Sequence, residues 1–385
     1  MLRYAVAAAN VLLLSELLLK YTVLPQPYDD GAAIAVHPSI LDYLTIVDRA
    51  PSFPPPSSGR PDDRLARATR LFEGQVEGSE SVATLKDGTL LTLDKYGWVW
   101  TAPRGATEKT RAERRTYIGP GRPLGFHAVK DNLYIACSLK GLLRLQMKTG
   151  GKLEVLANVA TDTNEPLNYV NDLDVAENGD VYFTSSTERA VSYDAKKGFY
   201  DTLQSYLMNL CKGDNSGRLL KYDSKTRETT TLMSGLWYAN GVALSPDFKS
   251  VLVVETNLNR VHKYSLSSGT SEVLVDNIPA MPDGISRAED GGYWVAGVIP
   301  LSPLPRLLAP LPRLRTLIAH LIGPLLPMLA KPAGIVLKYT ANGVPSDALL
   351  DLSGARVSSV SAVAQDGNSL YLGNLNGDFV SRVEL

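Results

Sequence analysis

Short segments in which apolar and polar residues alternate recur from about residue 65 onward, each directly after a tight turn. Alternation with a period of two, bounded by Asp, Asn and Gly, predicts half-buried strands joined by hairpins. A third strand follows each pair, as at Gly217–Tyr222, and several units add a fourth, as at Ser271–Val275. The turns that start the repeats are Asp87-Gly88, Asp131-Asn132, Asn178-Gly179, Asp247-Phe248, Asp290-Gly291 and Asp366-Gly367.

Six units of about four strands each predict an all-β fold, a six-bladed β-propeller. The sequence ends directly after the third strand of unit six. We expect residues 67–72 to supply the missing fourth strand, because pairing the two ends of the propeller leaves no exposed sheet edge. A row of separate β-sandwiches is the alternative, and the regular spacing of the units disfavours it.

The N-terminal residues read as a membrane-targeting segment. Arg3 precedes an apolar run over residues 5–14, which resumes at residues 17–19. The strict run is shorter than the roughly 20 residues that span a bilayer, and no small-x-small cleavage site follows. Residues 1–24 are therefore predicted to form an uncleaved signal-anchor helix, with a cleaved leader second and an exposed helix of a soluble protein third. Residues 25–64 form a Pro/Ser-rich linker, and residues 65–385 the propeller.

Two insertions interrupt the propeller pattern. Residues 188–216 carry large apolar side chains at near-helical spacing. Residues 299–333 are rich in Leu and Pro and contain several cations but no acidic residue. Such a segment predicts a surface that dips into a membrane interface or roofs a pocket. The alternative is a long loop packed on the propeller.

Composition removes several classes of function. The chain has 39 basic and 40 acidic residues, a net charge of −1 that gives no reason to expect a nucleic-acid partner. Four histidines with no close Cys/His spacing disfavour a zinc site. Two cysteines, Cys137 and Cys211, lie far apart in the sequence, and whether they pair is left open.

Oxygen-bearing side chains recur at one place in the repeat, seven residues before the turn. The count gives Glu80, Asn171, Asn240 and Asp283, whereas units two and six have Leu124 and Ser359. These positions start the innermost strands, which converge on the central channel of a propeller. Two carboxylates there would repel each other unless a cation lay between them. Two carboxylates and two amide carbonyls suit a calcium ion, with magnesium second. The alternative is that each residue caps its own turn. The occurrence of four such residues at the same position of the repeat disfavours this alternative.

Several motifs resemble the strictosidine synthase-like family. They are Tyr169-Val170-Asn171-Asp172-Leu173, Ala239-Asn240-Gly241-Val242-Ala243-Leu244-Ser245 and Met281-Pro282-Asp283-Gly284, within a likeness that runs from about Leu71 to the C-terminus. The resemblance implies the wider superfamily of paraoxonase and regucalcin, six-bladed propellers with calcium in the channel. By that resemblance the same four residues, Glu80, Asn171, Asn240 and Asp283, match metal-ligand positions.

The sequence departs from this family at two functional positions. Strictosidine synthase has a catalytic glutamate near the start of the inner strand of unit six, but residues 357–363 contain no acid here. Condensation of tryptamine with secologanin is therefore not expected. Paraoxonase has a histidine where this chain has Leu124. His127, three residues on, either approaches the channel or is a structural strand residue.

We therefore expect a membrane-tethered, calcium-dependent hydrolase of lactones or aryl esters, with a small hydrophobic substrate. Asp283 or Glu80 would orient or deprotonate the attacking water, and the choice is open. The alternative is a non-catalytic propeller, stabilised by calcium, that docks lipids or proteins. The expected location is a membrane of the secretory pathway (endoplasmic reticulum, vacuole or plasma membrane). The propeller is expected to be lumenal or extracellular, because Arg3 precedes the apolar run.

Overall fold

The computed structural model describes residues 63–148, 151–301 and 332–385, together with 14–15, 53–54, 308, 311, 313–315 and 317. Most of the predicted anchor over residues 1–24 and most of the predicted linker over residues 25–64 lie outside these residues. Most of the insertion over residues 299–333 does so as well. Within the described residues, no helix combines the length and the apolar character needed to cross a membrane.

Six four-stranded antiparallel sheets make up this part of the chain, which confirms the predicted six-bladed propeller. Blade 1 consists of Val82–Thr84, Leu90–Leu93, Trp98–Ala102 and Glu113–Tyr117. Blade 2 consists of Pro123–Val129, Asn132–Cys137, Gly141–Gln146 and Leu153–Ala157. Blade 3 consists of Val170–Val175, Val181–Ser185, Gly217–Tyr222 and Thr229–Leu236. Blade 4 consists of Ala239–Leu244, Ser250–Glu255, Arg260–Ser265 and Ser271–Val275. Blade 5 consists of Ala280–Arg287, Tyr293–Pro300, Gly334–Tyr339 and Pro345–Asp351. Blade 6 consists of Val360–Asp366, Ser369–Asn374, Val380–Glu384 and Thr69–Leu71. The strand given first in each blade is its inner strand.

Blade 6 closes the ring with a strand from the other end of the propeller. Thr69 pairs with Arg382, and Leu71 pairs with Val380, in antiparallel register. The sequence-based prediction for residues 67–72 is therefore confirmed. This pairing removes the exposed edge that blade 6 would otherwise present to solvent.

Apolar side chains fill the spaces between neighbouring blades. Leu252 and Val254 of blade 4 are buried in one cluster with Ile285, Val295 and Ile335 of blade 5. Equivalent clusters lie between the other blades. Each fully buried aliphatic side chain of this kind contributes about 1.5–3 kcal/mol. The packed wedges hold the six inner strands rigidly around the channel.

The insertion at residues 188–216 folds into a hairpin and a helix. Strands Ser192–Asp194 and Phe199–Asp201 form the hairpin, and the helix, α1, covers Thr202–Lys212. Asp201 accepts a hydrogen bond from the Leu203 backbone N–H at the start of α1, and Gly213 ends it at φ 66°. A capping carboxylate and a left-handed glycine are the expected signals for these two ends. Shorter elements are the strands Val159–Ala160 and Glu165–Pro166 and the 3-10 turns Leu65–Arg67 and Thr256–Leu258.

The Cys137 thiol is free and fully buried in the second strand of blade 2. Burial raises the pKa of this thiol above its ordinary value. Cys137 therefore acts as a small core residue with little thiolate at neutral pH.

Candidate functional site

A bulge at the start of the inner strand explains why polar side chains gather at one end of the channel. In five blades the ladder between the inner and second strands skips two residues at this point, for example between Ala239 and Val242. A bulge of this kind changes the direction of a side chain. The first skipped residues are Leu124, Asn171, Asn240, Asp283 and Ser361. Glu80 holds the corresponding place in blade 1, two residues before its inner strand.

The register corrects one sequence-based assignment. The seven-residue count gave Ser359 in unit six, but the equivalent residue is Ser361. Asp366 belongs to the strand and pairs with Ser369, so the turn consists of Gly367 and Asn368. The count therefore started two residues too early. Leu124, Glu80, Asn171, Asn240 and Asp283 do occupy equivalent places, as the sequence predicted.

The two carboxylates of this set are buried and influence each other. Glu80 is 7% exposed and Asp283 is 5% exposed. Burial, reinforced by the charge of Asp283, raises the pKa of Glu80 well above its ordinary value. Burial also raises the pKa of Asp283 to about 7, although a hydrogen bond with the Asn240 side chain lowers it. The structure thus brings Glu80, Asp283 and Asn240 together at one end of the channel.

The two amides are fixed by the same relay in consecutive blades. Asn171 Nδ2 donates to Ser186 Oγ at 2.8 Å, and Ser186 Oγ donates to the Ala239 carbonyl at 2.6 Å. Asn240 Nδ2 donates to Thr256 Oγ1 at 3.1 Å, and Thr256 Oγ1 donates to the Pro282 carbonyl at 2.8 Å. Because each hydroxyl donates its own proton to a carbonyl, the amide atom that contacts it must be the donating nitrogen. The amide carbonyl oxygen is then left for another partner.

The carbonyl oxygen of Asn171 has no such partner. Asn171 is 3% exposed, and its Oδ1 atom is buried without a hydrogen bond. An unsatisfied buried acceptor costs about 1–3 kcal/mol. Such a group in a native fold requires an explanation, and a bound cation is one.

These residues fit a calcium ion by the chemistry of their donors. Two carboxylates and two amide carbonyls supply hard oxygen ligands, which calcium prefers. A cation between the carboxylates would also favour their charged forms, which burial disfavours. Among the described residues no three His, Cys, Asp or Glu side chains gather as a metal cluster. The set depends on its amides, since Glu80 and Asp283 are its only carboxylates.

Asp172 bridges blades 3 and 4. Its Oδ2 atom accepts from the Val242 backbone N–H at 2.9 Å, and its Oδ1 atom accepts from Leu173 N at 2.9 Å. Oδ1 also fills the space beside Gly125, where a Cβ atom would collide with it. Burial raises the pKa of Asp172 to about 7. Asp172 therefore links the inner strands of blades 3 and 4.

Arg122 was missed by the sequence reasoning. Its guanidinium is 2% exposed and donates to the carbonyls of Gly78 at 3.2 Å and Leu375 at 3.4 Å. Its charge acts against the rise in the pKa of Glu80. The available signal was its place two residues before Leu124, at the start of the inner strand of blade 2.

Aromatic side chains and α1 cover this end of the channel. Tyr169 and Tyr238 are buried, with ring centroids 5.7 Å apart. Tyr206 of α1 lies 5.0 Å from the ring of Tyr238, and its hydroxyl donates to Met281 Sδ at 3.1 Å. Leu124 packs in the same cluster. The first insertion therefore forms a roof over the candidate ligands.

A cavity of about 500 Å³ occupies the rest of the channel. It reaches Glu80, Asp172 and Asn240 at one end, and Lys86 and Arg104 near the hairpin turns at the other. His127 lines this cavity, and its Nδ1 atom contacts Asp174 Oδ1 at 2.7 Å. His127 therefore does approach the channel, in the half that lies near the turns.

Sequence comparison finds similar proteins along most of the chain. A family model described as strictosidine synthase matches residues 171–269. Adipocyte plasma membrane-associated protein of Salmo salar is 31% identical over 371 residues, covering 91% of this chain and 84% of the relative. The protein named strictosidine synthase-like 3 of Arabidopsis thaliana is 30% identical over 364 residues, covering 86% and 90%.

Structure comparison finds the same propeller fold in solved structures. A gluconolactonase from Xanthomonas campestris superposes with a TM-score of 0.57 at 16% identity, covering 84% of this chain and 91% of that one. A calcium-binding protein, regucalcin, from Agrobacterium tumefaciens gives a TM-score of 0.53 at 15% identity, covering 82% and 93%. At these identities the likeness concerns the fold.

Proposed function

The chain belongs to the strictosidine synthase-like family, and from that premise we propose that it is a membrane-tethered, calcium-dependent hydrolase of lactones or aryl esters. The observation that carries the proposal is the buried, unpartnered Oδ1 atom of Asn171 at the channel end that also holds Glu80 and Asp283. The structural neighbours titled gluconolactonase and calcium-binding protein support the reaction class and the metal.

Each polar residue of the site has a distinct task in this proposal. Glu80, Asn171, Asn240 and Asp283 would hold the calcium ion, which when bound would polarise the substrate carbonyl. Asp283 is the proposed proton acceptor for the attacking water, because a carboxylate beside the metal can take up the proton that the water releases. Glu80 lies near the charge of Arg122, which favours its charged form and a positioning task.

The family name does not extend to strictosidine synthesis in this chain. That condensation needs a carboxylate base, and Ser361 holds the equivalent inner-strand place in blade 6. Its hydroxyl donates to the Glu80 carbonyl at 2.6 Å. Ser361 therefore joins blades 6 and 1. Residues 357–363, at the start of this inner strand, contain no carboxylate that could act as the base.

Membrane tethering rests on the relatives rather than on the described fold. Relatives of 30–32% identity are named as plasma-membrane-associated proteins. This supports the location proposed from residues 1–24, a membrane of the secretory pathway with the propeller on its lumenal or extracellular side. Detergent extraction and protease protection of the full chain in microsomes test it.

The hydrolase proposal is tested with a panel of lactones and aryl acetates, with and without a calcium chelator. We expect turnover that chelation abolishes and calcium restores. Asp283→Asn should abolish it, whereas Asp290→Asn should not. Asp290 is a matched control because it is an exposed acid of the same blade, paired with Lys338 at 2.7 Å. Turnover that survives chelation, or that Asp283→Asn leaves intact, would contradict the proposal.

A non-catalytic propeller is the second candidate, and the roof of α1 and Tyr206 favours it. A covered channel end suits a metal that only stabilises the fold and a propeller that docks lipids or proteins. In that case chelation lowers the melting temperature while no member of the panel is hydrolysed.

A further inference from the structure

The cavity approaches the candidate centre from the turn end of the channel. Its deep residues include Glu80 and Asn240, and its outer residues include the exposed Lys86 and Arg104. The opposite end lies under α1 and its tyrosines. A volume of about 500 Å³ falls within the roughly 300–1,000 Å³ typical of small-molecule sites. A substrate that uses this cavity must therefore suit the charges along it.

One buried carboxylate organises the middle of the cavity. Asp174 is 5% exposed and accepts from the backbone N–H groups of Val175 at 2.8 Å and Leu244 at 2.9 Å. It also contacts His127 Nδ1 at 2.7 Å and Arg287 Nη2 at 3.5 Å. Burial alone would raise its pKa, but the His127 hydrogen bond and the nearby charges of His127 and Arg287 lower it. Asp174 is thus a fixed anion that positions His127 and Arg287 along the cavity wall.

Cations dominate the outer half of the cavity. Arg287 packs over the ring of Phe248 at 5.3 Å, and its contact with Asp174 involves one amino group. The other donors of its fork remain for a ligand. Lys86 and Arg104 add two positive charges at the mouth, and Asp366 is the acid among the lining residues there. This half of the cavity therefore favours an anion.

The inner half has the opposite character. Glu80, Asp172 and Asn240 line it, and no Lys or Arg is among the residues described there. An elongated ligand with an anion at one end would therefore bind in one orientation. Its anion would lie beside Arg287, and its uncharged part would point toward Glu80.

We propose that this cavity binds small lactones that carry a carboxylate, with the carboxylate on Arg287 and the ring ester toward Glu80 and Asn240. This inference rests on the proposed hydrolase function and narrows its substrate class. It replaces the hydrophobic substrate expected from the sequence with an anionic one. The planar fork of arginine matches a carboxylate, and the bond is strengthened by charge.

Binding tests the site without any need for turnover. Pyroglutamate is a five-membered lactam that carries a carboxylate, and pyrrolidinone is the same ring without it. With the full-length protein and calcium, calorimetry or ligand-observed NMR should show pyroglutamate binding at least about ten-fold tighter, the effect of a charge-assisted hydrogen bond. Arg287→Gln should remove most of that preference.

Two further variants separate the site from general effects. Arg115→Gln removes the same charge from the outer strand of blade 1, where Arg115 is exposed, and should leave pyroglutamate binding unchanged. Lys86→Gln with Arg104→Gln changes only exposed residues at the mouth, so folding is not at risk. This double variant should weaken pyroglutamate binding in a salt-dependent way. Unchanged binding in both Arg287→Gln and the double variant overturns the proposal, as does wild-type protein that binds both rings equally.

Turnover then distinguishes the two proposals. The substrates are γ-butyrolactone-γ-carboxylate and its neutral methyl ester. Faster opening of the carboxylate by wild-type protein, lost in Arg287→Gln, supports both proposals. Hydrolysis of both lactones at equal rates, unaffected by Arg287→Gln, overturns the anion site and retains the hydrolase. Arg287-dependent pyroglutamate binding without hydrolysis of either lactone retains the site and removes the hydrolase.

Discussion

Without a bound cation in the channel, the propeller is expected to lose stability as the pH rises from about 5 to 7. The cause is the set of buried carboxylates in the channel. Burial raises the pKa of Asp283 from 3.8 to about 7. A carboxyl group whose pKa is raised by folding stabilises the fold fully below its unfolded pKa. That stability is lost as the pH rises through the folded pKa.

The size of the effect follows from the pKa values. A rise from 3.8 to about 7 corresponds to about 4 kcal/mol, at 1.36 kcal/mol for each pH unit. In a large domain about 1 kcal/mol changes the melting temperature by about 2 °C. About half of this loss falls between pH 5 and pH 7, so metal-free protein should lose roughly 4 °C there. Below pH 5, carboxyl groups with lowered pKa values, such as Asp174, still add stability as the pH rises and offset the loss.

The assay is differential scanning calorimetry of chelated protein across this pH range, repeated with calcium. Calcium should raise the melting temperature most at pH 7, because there the carboxylates must be charged to bind it. Asp283→Asn should flatten the metal-free pH profile and remove most of the calcium effect. Asp290→Asn should change neither. A metal-free melting temperature that rises from pH 5 to 7, or a calcium effect that survives Asp283→Asn, would refute the reasoning.

Three further outcomes are expected. Ser186→Ala should lower calcium affinity about 10- to 100-fold in a chelator titration, because Asn171 loses the partner that fixes its amide; unchanged affinity would contradict this. Leu71→Ala should lower the free energy of unfolding in urea by about 2–5 kcal/mol, because Leu71 is fully buried where the ring closes against Val380. Cys137 should react with a thiol reagent only after denaturation, as measured by mass spectrometry, since it is buried and its pKa is raised.

The repeat of turns and strands was sufficient to predict the propeller and its closure. Strands Gly217–Tyr222 and Ser271–Val275 begin and end where the sequence pattern places them. The alternation of apolar and polar residues reflects the burial of apolar side chains between neighbouring blades. This burial recurs in every blade, so the sequence pattern recurs with it. Most of the predicted anchor and most of the second insertion lie outside the described residues, and both stay predictions.

The candidate site was predicted only as far as its residues follow the repeat. Asn171 and Asp283 start inner strands in register, so counting along the sequence found them. Ser361 was missed because the count started at Asp366, two residues too early. Asp366 still pairs in the strand, a detail of hairpin register that composition does not reveal. Arg122 and the roof of α1 were missed because their relation to Glu80 depends on contacts between distant segments.

The closure of blade 6 has a consequence for how the protein folds during synthesis. Thr69–Leu71 leaves the ribosome among the first parts of the propeller, and its partner Val380–Glu384 is the last of the propeller's strands to be translated. Until then the inner strands of blades 1 and 6 cannot meet, so Ser361 cannot reach the Glu80 carbonyl. The candidate metal centre is therefore completed only after blade 6 has been synthesised, and native contacts of such long sequence separation form slowly. A cell that makes this protein must keep five finished blades from aggregating while they wait for the sixth.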